Sequence, residues 1–485
     1  FTAETQAQKQ KGGDIFGEGV DDEFGWAVSM PDKNTLAVGA PKNWGTDRKS
    51  GHVRVYRWNG ITWKQKGADI DGKDRYHISG YSVSMPDSNI VAIGAPFDFG
   101  TGAGYVRIYS WDGIAWVQKG ADINGEERGD QSGWSVSMPD SNTVAIGAPG
   151  NNNNVGHVRI FSWSGSKWKQ KGADIDGVAA DDRFGRSVSM PDANTVAIGE
   201  VPIVGVNSSG HVRIYRWNGS AWVQKGADLD GEEIDDLFGW SVSMPDANSV
   251  AIGAPFNFGA GAGYVRIYSW DGIAWVQKGG KIDGEAAGDR SGWSVSMPHS
   301  NTVAIGAPYN KNGNGDKYGH VRIYRWNDSA WVQKGTDMDA GRSFHNYPAK
   351  WPVSMPDANT MAIGTPFGRN YSNDKTGRVR VYSLCDQQSD TTIVVRTACD
   401  SFTWIDSITY TATTNSPTYT LVNALGCDSV INLNLTIKLS TSTVQTITAC
   451  DAFTWIDGLT YTSSNNTATH TFTNAAGCDS VINLD

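Results

Sequence analysis

The sequence predicts an all-β protein, most of which is a seven-bladed β-propeller closed by its N-terminal strand. Three observations support this: one segment recurs seven times, each copy has the alternation of strands, and the two ends of the repeat region complement each other. A period of this size is typical of repeat folds built from one supersecondary unit. The copies of SVSMPDANTVAIG begin at Ala27, Ser82, Ser135, Ser187, Ser241, Ser294 and Pro352.

Each copy contains the pattern of four antiparallel strands, as the unit at 237–285 illustrates. SVSM alternates polar and apolar residues, PDAN is a turn, and SVAIGAP is a second, more apolar strand. GYVRIYSW alternates again and is followed by Asp271-Gly272, a strong hairpin signal. AWVQKGGKI is the fourth strand, and an acidic loop leads to the next unit. No segment of the unit has a helical pattern.

The ends of the repeat region predict a closed ring. The seventh copy stops after GRVRVYSLC at 377–385 and lacks a fourth strand, whereas QKQKGGDIFGE at 8–18 matches the fourth strand of the other copies. Pairing the first and last strands in one sheet removes two free edges. We therefore expect residues 8–17 to pair with 377–384, in a propeller that spans residues 1–385.

The repeated FGWSVSMPD, VAIGAP and GHVRIYRW segments resemble the FG-GAP repeats of integrin-α-type propellers, and more closely those of secreted bacterial proteins. The integrin type often carries a DxDxDG calcium loop, but the corresponding MPDAN has at most one Asp, so we expect no cofactor and no metal there. The pair is Phe-Gly at Phe24-Gly25, Phe184-Gly185 and Phe238-Gly239, and Ser-Gly at Ser79-Gly80, Ser132-Gly133 and Ser291-Gly292.

The composition changes after Cys385, where Thr becomes frequent and two copies of one module follow. The modules are expected at 391–438 and at 443–485, the second truncated, as small β-sandwich-like domains rich in β-branched and aromatic residues. TACDSFTWIDSITYT and GCDSVINL resemble the stalk repeats of Bacteroidetes surface and secreted proteins. This resemblance implies export across the outer membrane by the type IX route and a location at the cell surface.

All five cysteines lie in the last 101 residues, and two pairs have equal spacing. Cys399 and Cys427 are 28 residues apart, as are Cys450 and Cys478. The spacing predicts disulfides Cys399–Cys427 and Cys450–Cys478, formed in an oxidising compartment, with Cys385 unpaired or bonded elsewhere. Metal ligation is the alternative, but the sequence has no CxxC and no His at ligand spacing.

The net charge argues against a nucleic-acid partner, and the hydropathy argues against a membrane-spanning segment. The formal net charge of −10 argues against a nucleic-acid partner, which requires a basic face. No apolar run approaches 18 residues, so no transmembrane segment is expected.

Tryptophan pairs flank the short turn of six predicted hairpins. We interpret them as clasps that hold the outer hairpin together, because every complete hairpin has one. The functional alternative is a set of platforms on which sugars stack. The pairs are Trp58/Trp63, Trp111/Trp116, Trp163/Trp168, Trp217/Trp222, Trp270/Trp275 and Trp326/Trp331.

An arginine stands in the third strand of every copy. We expect it between blades, with its stem on aromatic rings and its guanidinium paired with an acidic loop residue. Anion binding at a central funnel is the alternative. The seven are Arg54, Arg107, Arg159, Arg213, Arg266, Arg322 and Arg380.

Acidic and amide-rich loops offer possible cation ligands. We interpret the pairs Asp21-Asp22, Asp181-Asp182 and Asp235-Asp236 as solvated loop charges, and calcium binding is the alternative. The same two interpretations apply to NKNGNGDKYG, where oxygen-bearing side chains alternate at Asn310, Asn312, Asn314 and Asp316.

The sequence contains no recognisable catalytic set. A propeller enzyme needs a unique acid, base or nucleophile that interrupts the repeat. The clearest interruption is Glu200, a single carboxylate that replaces the Ala of GAP. His52, His157, His211 and His320 are repeat positions, His470 lies in the tail, and His77, His299 and His345 lack a recognisable partner.

These observations favour a non-enzymatic extracellular adhesion or surface-appendage protein, with a propeller head on a β-module stalk. Its expected partners are cell-surface glycans or proteins, or copies of itself. The alternative is a carbohydrate-active propeller, either a lectin or a polysaccharide lyase or hydrolase. The sequence identifies no binding residues for either function.

Overall fold

The computed structural model describes residues 9–44, 49–97, 102–203, 208–256, 261–311, 319–339, 351–384, 392–422 and 428–485. The chain divides into unit 1, Phe1–Asp386, and unit 2, Gln387–Asp485. Within the described ranges one helix is assigned, Asn151–Asn154, a single turn with left-handed dihedral angles at Asn152 and Asn153. No helix in these ranges combines the length and the hydrophobicity needed to span a bilayer.

Unit 1 is built from repeated five-stranded antiparallel sheets, seven of which lie in the described ranges and are numbered along the chain. Sheets 1 to 3 consist of Ala27–Asp32, Thr35–Ala40, His52–Trp58, Trp63–Gln65 and Ile70–Asp71; Ser82–Asp87, Ile90–Ala95, Tyr105–Trp111, Trp116–Gln118 and Ile123–Asn124; and Ser135–Asp140, Thr143–Ala148, His157–Trp163, Trp168–Gln170 and Ile175–Asp176. Sheets 4 to 6 consist of Phe184–Asp192, Thr195–Glu200, His211–Trp217, Trp222–Gln224 and Leu229–Asp230; Ser241–Asp246, Ser249–Ala254, Tyr264–Trp270, Trp275–Gln277 and Ile282–Asp283; and Ser294–His299, Thr302–Ala307, His320–Trp326, Trp331–Gln333 and Met338–Asp339.

Sheet 7 combines the two ends of the repeat region. Val353–Asp357, Thr360–Thr365 and Arg378–Ser383 are joined by Lys9–Gln10 and Ile15–Phe16. Lys9 is opposite Ser383, and Ile15 is opposite Val379. The N-terminal segment thus occupies the position of the fourth strand, which the seventh copy lacks.

The sequence predicted one fourth strand in each copy, but the structure has two short strands in its place. In sheet 5, Trp275–Gln277 and Ile282–Asp283 both pair with Tyr264–Trp270, at opposite ends of it. The strand breaks just after Lys278, whose amide still donates to the carbonyl of Ile267 in the same sheet, because Gly279 has a φ of 76° that a β-strand does not accommodate. The predicted PDAN turn is also shorter than expected, since the first strand continues through a bulge to Asp246.

The second strand of each sheet forms the core of unit 1. All six residues of Ser249–Ala254 are buried, because neighbouring sheets cover both faces of this strand. The apolar clusters accordingly combine residues of successive sheets. Leu36 of sheet 1 packs with Val379 and Val381 of sheet 7, in the same way as other neighbours pack.

A repeated hydrogen bond joins the first strands of neighbouring sheets, which we call the inner strands. The backbone amide of a methionine donates to the serine Oγ of the preceding sheet, and Met30 of sheet 1 donates to Ser354 of sheet 7 over 2.9 Å. The other pairs are Met85–Ser29, Met138–Ser84, Met190–Ser137, Met244–Ser189, Met297–Ser243 and Met355–Ser296.

The glycines of the FG and GAP segments allow neighbouring sheets to approach closely. A Cβ on Gly94 would overlap the carbonyl of Gly133 in the next sheet, and a Cβ on Gly364 would overlap that of Gly25. Gly133 and Gly25 themselves have positive φ angles of 89° and 90°. The repeated glycines are therefore required by backbone contact between sheets.

Unit 2 contains two modules of the same topology. In the first, Thr392–Cys399 runs parallel to Asp428–Lys438, which is antiparallel to Thr418–Val422, and Phe402–Thr403 pairs with Thr409–Tyr410. In the second, Thr441–Gln445 runs parallel to Asp479–Leu484, which is antiparallel to Thr469–Thr473, and Phe453–Thr454 pairs with Thr460–Tyr461. The small core of the first module is formed by Trp404, Leu433 and Leu435.

The cysteine pairing differs from the expectation. Cys399 is bonded to Cys478, not to Cys427, so the disulfide joins the two modules, while Cys450 is exposed and free. Cys385 and Cys427 lie outside the described residues. The physical reason is that the loop before the last strand packs on the junction between modules, where Lys438 Nζ donates to the carbonyl of Ala476 and Asn474 Nδ2 to that of Leu439.

Candidate binding site at the axial cavity

One residue at the start of each inner strand lines a common cavity in unit 1. These seven residues, which we call the axial ring, stand four positions before the strand methionine, and six of them follow the FG or SG pair directly. The cavity has a volume of about 250 Å³. The axial ring consists of Trp26, Tyr81, Trp134, Arg186, Trp240, Trp293 and Trp351.

Five of the six aromatic members of the axial ring contact a neighbouring aromatic member beside the cavity, whereas the side chain of Trp351 is buried in the apolar core between sheets 6 and 7. The ring centroids of Tyr81 and Trp134 are 4.8 Å apart, and those of Trp240 and Trp293 are 4.6 Å apart. Trp26 and Tyr81 are separated by 5.5 Å. The aromatic faces thus form a nearly continuous apolar wall, which can stack against flat or weakly polar surfaces such as sugar rings.

Arg186 occupies the position that is aromatic in the other six sheets. Its guanidinium carbon lies 4.7 Å from the ring centroid of Trp134 and 4.1 Å from that of Trp240. Burial lowers the pKa of Arg186 to about 10, which leaves the group charged at neutral pH. The axial ring therefore contains one fixed positive charge held by cation–π contacts.

A second aromatic layer lies beside the axial ring. It follows the proline of the GAP segment and includes Phe97, Phe256 and Tyr309. Phe256 is 5.4 Å from Trp240, and Phe97 is 5.9 Å from Trp134. Arg290 lies between Phe256 and Tyr309, at 4.5 and 4.1 Å from their centroids.

The hairpin tryptophan pairs form clasps between sheets. The rings of each pair are 5.3–5.6 Å apart and hold the lysine that ends the preceding sheet's fourth strand. Lys66 Nζ lies 4.9 and 5.1 Å from the Trp111 and Trp116 centroids, and Trp116 Nε1 donates to the Lys66 carbonyl over 2.8 Å. The sequence predicted clasps within one hairpin. The structure shows that the pairs also connect neighbouring sheets.

The third-strand arginines lie between sheets, as expected. Arg54 makes two hydrogen bonds to Asp69 and an ion pair with Glu18. Arg107 donates to the carbonyl of Asp71 in the preceding sheet. These arginines therefore stabilise the contacts between sheets, and none of them lines the axial cavity. The Nε atoms of Arg107, Arg159 and Arg266 are nevertheless buried without a hydrogen-bond partner among the described residues.

Glu200 has a carboxylate neighbour that the sequence spacing did not indicate. Its side chain is buried, accepts a 3.0 Å hydrogen bond from Arg213, and lies 2.9 Å from His211 Nε2. Burial and a hydrogen bond with Glu200 raise the pKa of Asp182 to about 6. The two catalytic carboxyl groups of a glycosidase stand at least about 5 Å apart, whereas those of Asp182 and Glu200 are close enough to share a hydrogen bond.

The second aspartate of each acidic pair is structural. Asp236 is fully buried and accepts hydrogen bonds from Tyr264 Oη and the Glu233 amide, and Asp22 accepts from the Gly19 amide and Asn43 Nδ2. The expectation that these residues are simply solvated was therefore wrong for Asp22 and Asp236. Their oxygens are used to close the loops that lead into the inner strands.

Among the residues that the structure describes, three groups combine a histidine with two carboxylates at distances that suit a metal ion. In each, the histidine is buried and the third-strand arginine lies beside it, and burial and Arg54 lower the pKa of His52. Arg54 already neutralises Asp69 and Glu18, so a cation would have to displace it. The groups are Glu18/His52/Asp69, Glu126/His157/Asp174 and Glu285/His320/Asp337.

The remaining sequence candidates do not converge on one site. Asn310 is buried and donates to Asp289, so its amide closes a loop. His77 contacts Tyr105 Oη at 3.1 Å. Asn312, Asn314, Asp316 and His345 lie outside the described residues.

Sequence reasoning missed the axial ring, although its residues lie within the repeated FGW segment. The signal was a column of aromatic residues four positions before the strand methionine, interrupted by arginine in the fourth copy. A scan of the chain against protein-family models finds no match, and neither does a search of curated proteins.

Proposed function

We propose that unit 1 is a closed seven-bladed β-propeller that acts as a non-enzymatic, extracellular saccharide-binding head, and that unit 2 is part of its stalk. Seven sheets joined by one repeated hydrogen bond, including the bond between Met30 and Ser354, support the closed ring. The N-terminal strands in sheet 7 support it independently. The observation that carries the function is the axial ring, which brings six aromatic residues to one cavity, five of them in ring contact with a neighbour.

The composition of this cavity favours binding over chemistry. Indole and phenol faces bind sugars by stacking on their C–H surfaces while the hydroxyl groups stay hydrated. The residues that line the cavity include no acid, histidine or thiol. A surface head with such a site serves attachment to glycans, and several heads on one cell add their affinities through multivalency.

The test is direct binding of oligosaccharides to the full chain, measured by glycan array and by calorimetry. Trp240→Ala should weaken binding at least tenfold, because Trp240 contacts both Arg186 and Trp293 in the cavity wall. Trp44→Ala is the matched control, since Trp44 is exposed and lies outside the axial ring. If no saccharide binds, or if both variants bind as the wild type does, the proposed function is wrong.

A carbohydrate-active enzyme is the second candidate, favoured only by the contact between Asp182 and Glu200. The raised pKa of Asp182 would suit a proton donor. However, Glu200 is held by Arg213 and His211, and the two carboxyl groups are too close to flank a glycosidic bond. Turnover of a polysaccharide that is lost in Glu200→Gln would favour this candidate over a binding head.

A further inference from the structure

The guanidinium of Arg186 has aromatic neighbours but no acceptor. Among the described residues, no carbonyl or side chain accepts a hydrogen bond from it, and no carboxylate lies within ion-pair distance. Trp134 and Trp240 cover the two faces of the guanidinium plane. Its N–H groups therefore point outward within that plane, where neither ring blocks them. An arginine is always charged in a protein and has five donors in one plane.

Three other arginines of unit 1 show what the chain supplies to a guanidinium that is paired within the protein. Arg54 has Asp69, Arg213 has Glu200, and Arg380 has Asp14, each within 3.1 Å. Arg186 differs from all of these because it lines a cavity of about 250 Å³. The unused donors therefore face a space that a ligand can enter.

We propose that Arg186 binds the acidic group of an anionic saccharide, whose sugar ring stacks on the neighbouring tryptophans of the axial ring. This inference rests on the proposed function and adds the class of sugar. The planar guanidinium matches an oxyanion through two parallel N–H···O bonds, and removal from bulk water strengthens such bonds. A carboxylate of a uronic acid and a sulfate ester share this chemistry.

The surroundings of the cavity favour this ligand over a neutral one. Arg290 is stacked in the adjoining aromatic layer, and the charge of Arg183 acts on Arg186. Positive charge is thus concentrated beside the axial cavity of a chain whose net charge is −10. This local positive charge attracts an acidic sugar to the cavity although the chain as a whole is negatively charged.

The experiment compares two pairs of probes with the full chain by calorimetry: trigalacturonate with its fully methyl-esterified form, and a sulfated neutral disaccharide with its unsulfated parent. The wild type should bind trigalacturonate at least tenfold more tightly than the ester. Arg186→Gln should bring this ratio close to one, while Arg57→Gln, an exposed arginine outside the axial ring, should leave it unchanged. Preference for the sulfated probe over its parent would identify a sulfate ester as the acidic group.

Arg186→Lys keeps the charge and provides a second variant if the glutamine variant does not fold. It should lose at least fivefold in affinity for the acidic sugar, because lysine lacks the planar fork, with the affinity for the ester unchanged. Equal binding of acid and ester by the wild type would overturn this inference and leave the proposed function intact. Binding of an acidic peptide in place of every sugar would overturn both.

Discussion

The indole nitrogen of Trp63 donates a 2.8 Å hydrogen bond to the backbone carbonyl of Lys11, which lies 52 residues earlier in the chain. Lys11 in turn extends its ammonium group over Trp58 and donates to the carbonyl of Lys33. Sheet 1 thus holds the N-terminal segment of sheet 7 by the same clasp that joins the other neighbouring sheets.

Deletion of residues 1–18 should therefore destabilise unit 1. The deletion removes Lys9–Gln10 and Ile15–Phe16 from sheet 7, together with the Asp14 carboxylate that pairs with Arg380. An exposed strand edge favours aggregation. We expect a melting temperature lower by at least 10 °C, measured by calorimetry, and aggregation in light scattering. Deletion of residues 1–8 is the control and should have no effect; equal melting of both truncated proteins would contradict the closed ring.

Gly67→Ala should weaken the contact between sheets 1 and 2. A Cβ at this position would lie 2.6 Å from Cζ3 of Trp111, on a backbone with a φ of +79°. Together the left-handed conformation and the overlap should cost about 3 kcal/mol in the free energy of unfolding. Gly60→Ala has the same type of strain, with a φ of +98° and nothing within 4 Å, and should cost about 1 kcal/mol. Urea denaturation that gives equal losses would argue against a tight clasp.

Asp182→Asn should stabilise the protein above about pH 6, but not in acid. The pKa of Asp182 is about 6 in the folded chain and lies below 4 in the unfolded chain, so folding favours the protonated form. Stability is therefore lost as the pH rises through this window, and an amide, which never ionises, avoids the loss. We expect a gain of about 1 kcal/mol at pH 8, after allowance for solvent screening, and no gain at pH 4. A gain that is independent of pH would contradict the contact with Glu200.

Divalent metal should not stabilise the wild-type chain. Arg54 contacts both carboxylates of the Glu18, His52 and Asp69 group, so a cation gains little there. We expect the same melting temperature with EDTA and with added Zn²⁺. Arg54→Gln removes the competing charge and should allow Zn²⁺ to raise the melting temperature of that variant. A rise of several degrees in the wild type would show that the groups bind metal.

Peptide mapping without reductant should recover Cys399 joined to Cys478, while Cys450 reacts with iodoacetamide. Reduction should lower the stability of unit 2 and leave the melting of unit 1 unchanged, because the bond lies within unit 2. Cys450→Ser is the control and should preserve the bond. A peptide that joins Cys399 to Cys427 would contradict the pairing between modules.

The strands were predictable because alternation and turn residues act locally. The split of the fourth strand was not, since it depends on the left-handed conformation of Gly279, where a Cβ would overlap Trp326 of the next sheet. The prediction of the cysteine pairs was wrong for a related reason. In tandem copies, equal spacing within modules is equally compatible with bonds inside a module and bonds between modules.

The site was only partly predictable. Glu200 was recognised as an interruption, but its contact with Asp182 requires the two segments to meet in space. Arg186 interrupts the aromatic column just as visibly, and its lack of an acceptor is a property of the fold alone. A sequence indicates which residues depart from a repeat; what each departure contacts depends on the neighbouring sheets.

The bond between Cys399 and Cys478 determines how unit 2 responds to stretching. Tension applied between residues 392 and 485 passes through the disulfide between Cys399 and Cys478. The chain between these two cysteines, a separation of 79 residues, therefore carries no force and is not extended. At roughly 3.4 Å per extended residue, about 270 Å of chain stays folded away until the bond is reduced. A single-molecule pulling experiment should release this length only in the presence of a reductant, so that the oxidised protein behaves as a short, stiff tether.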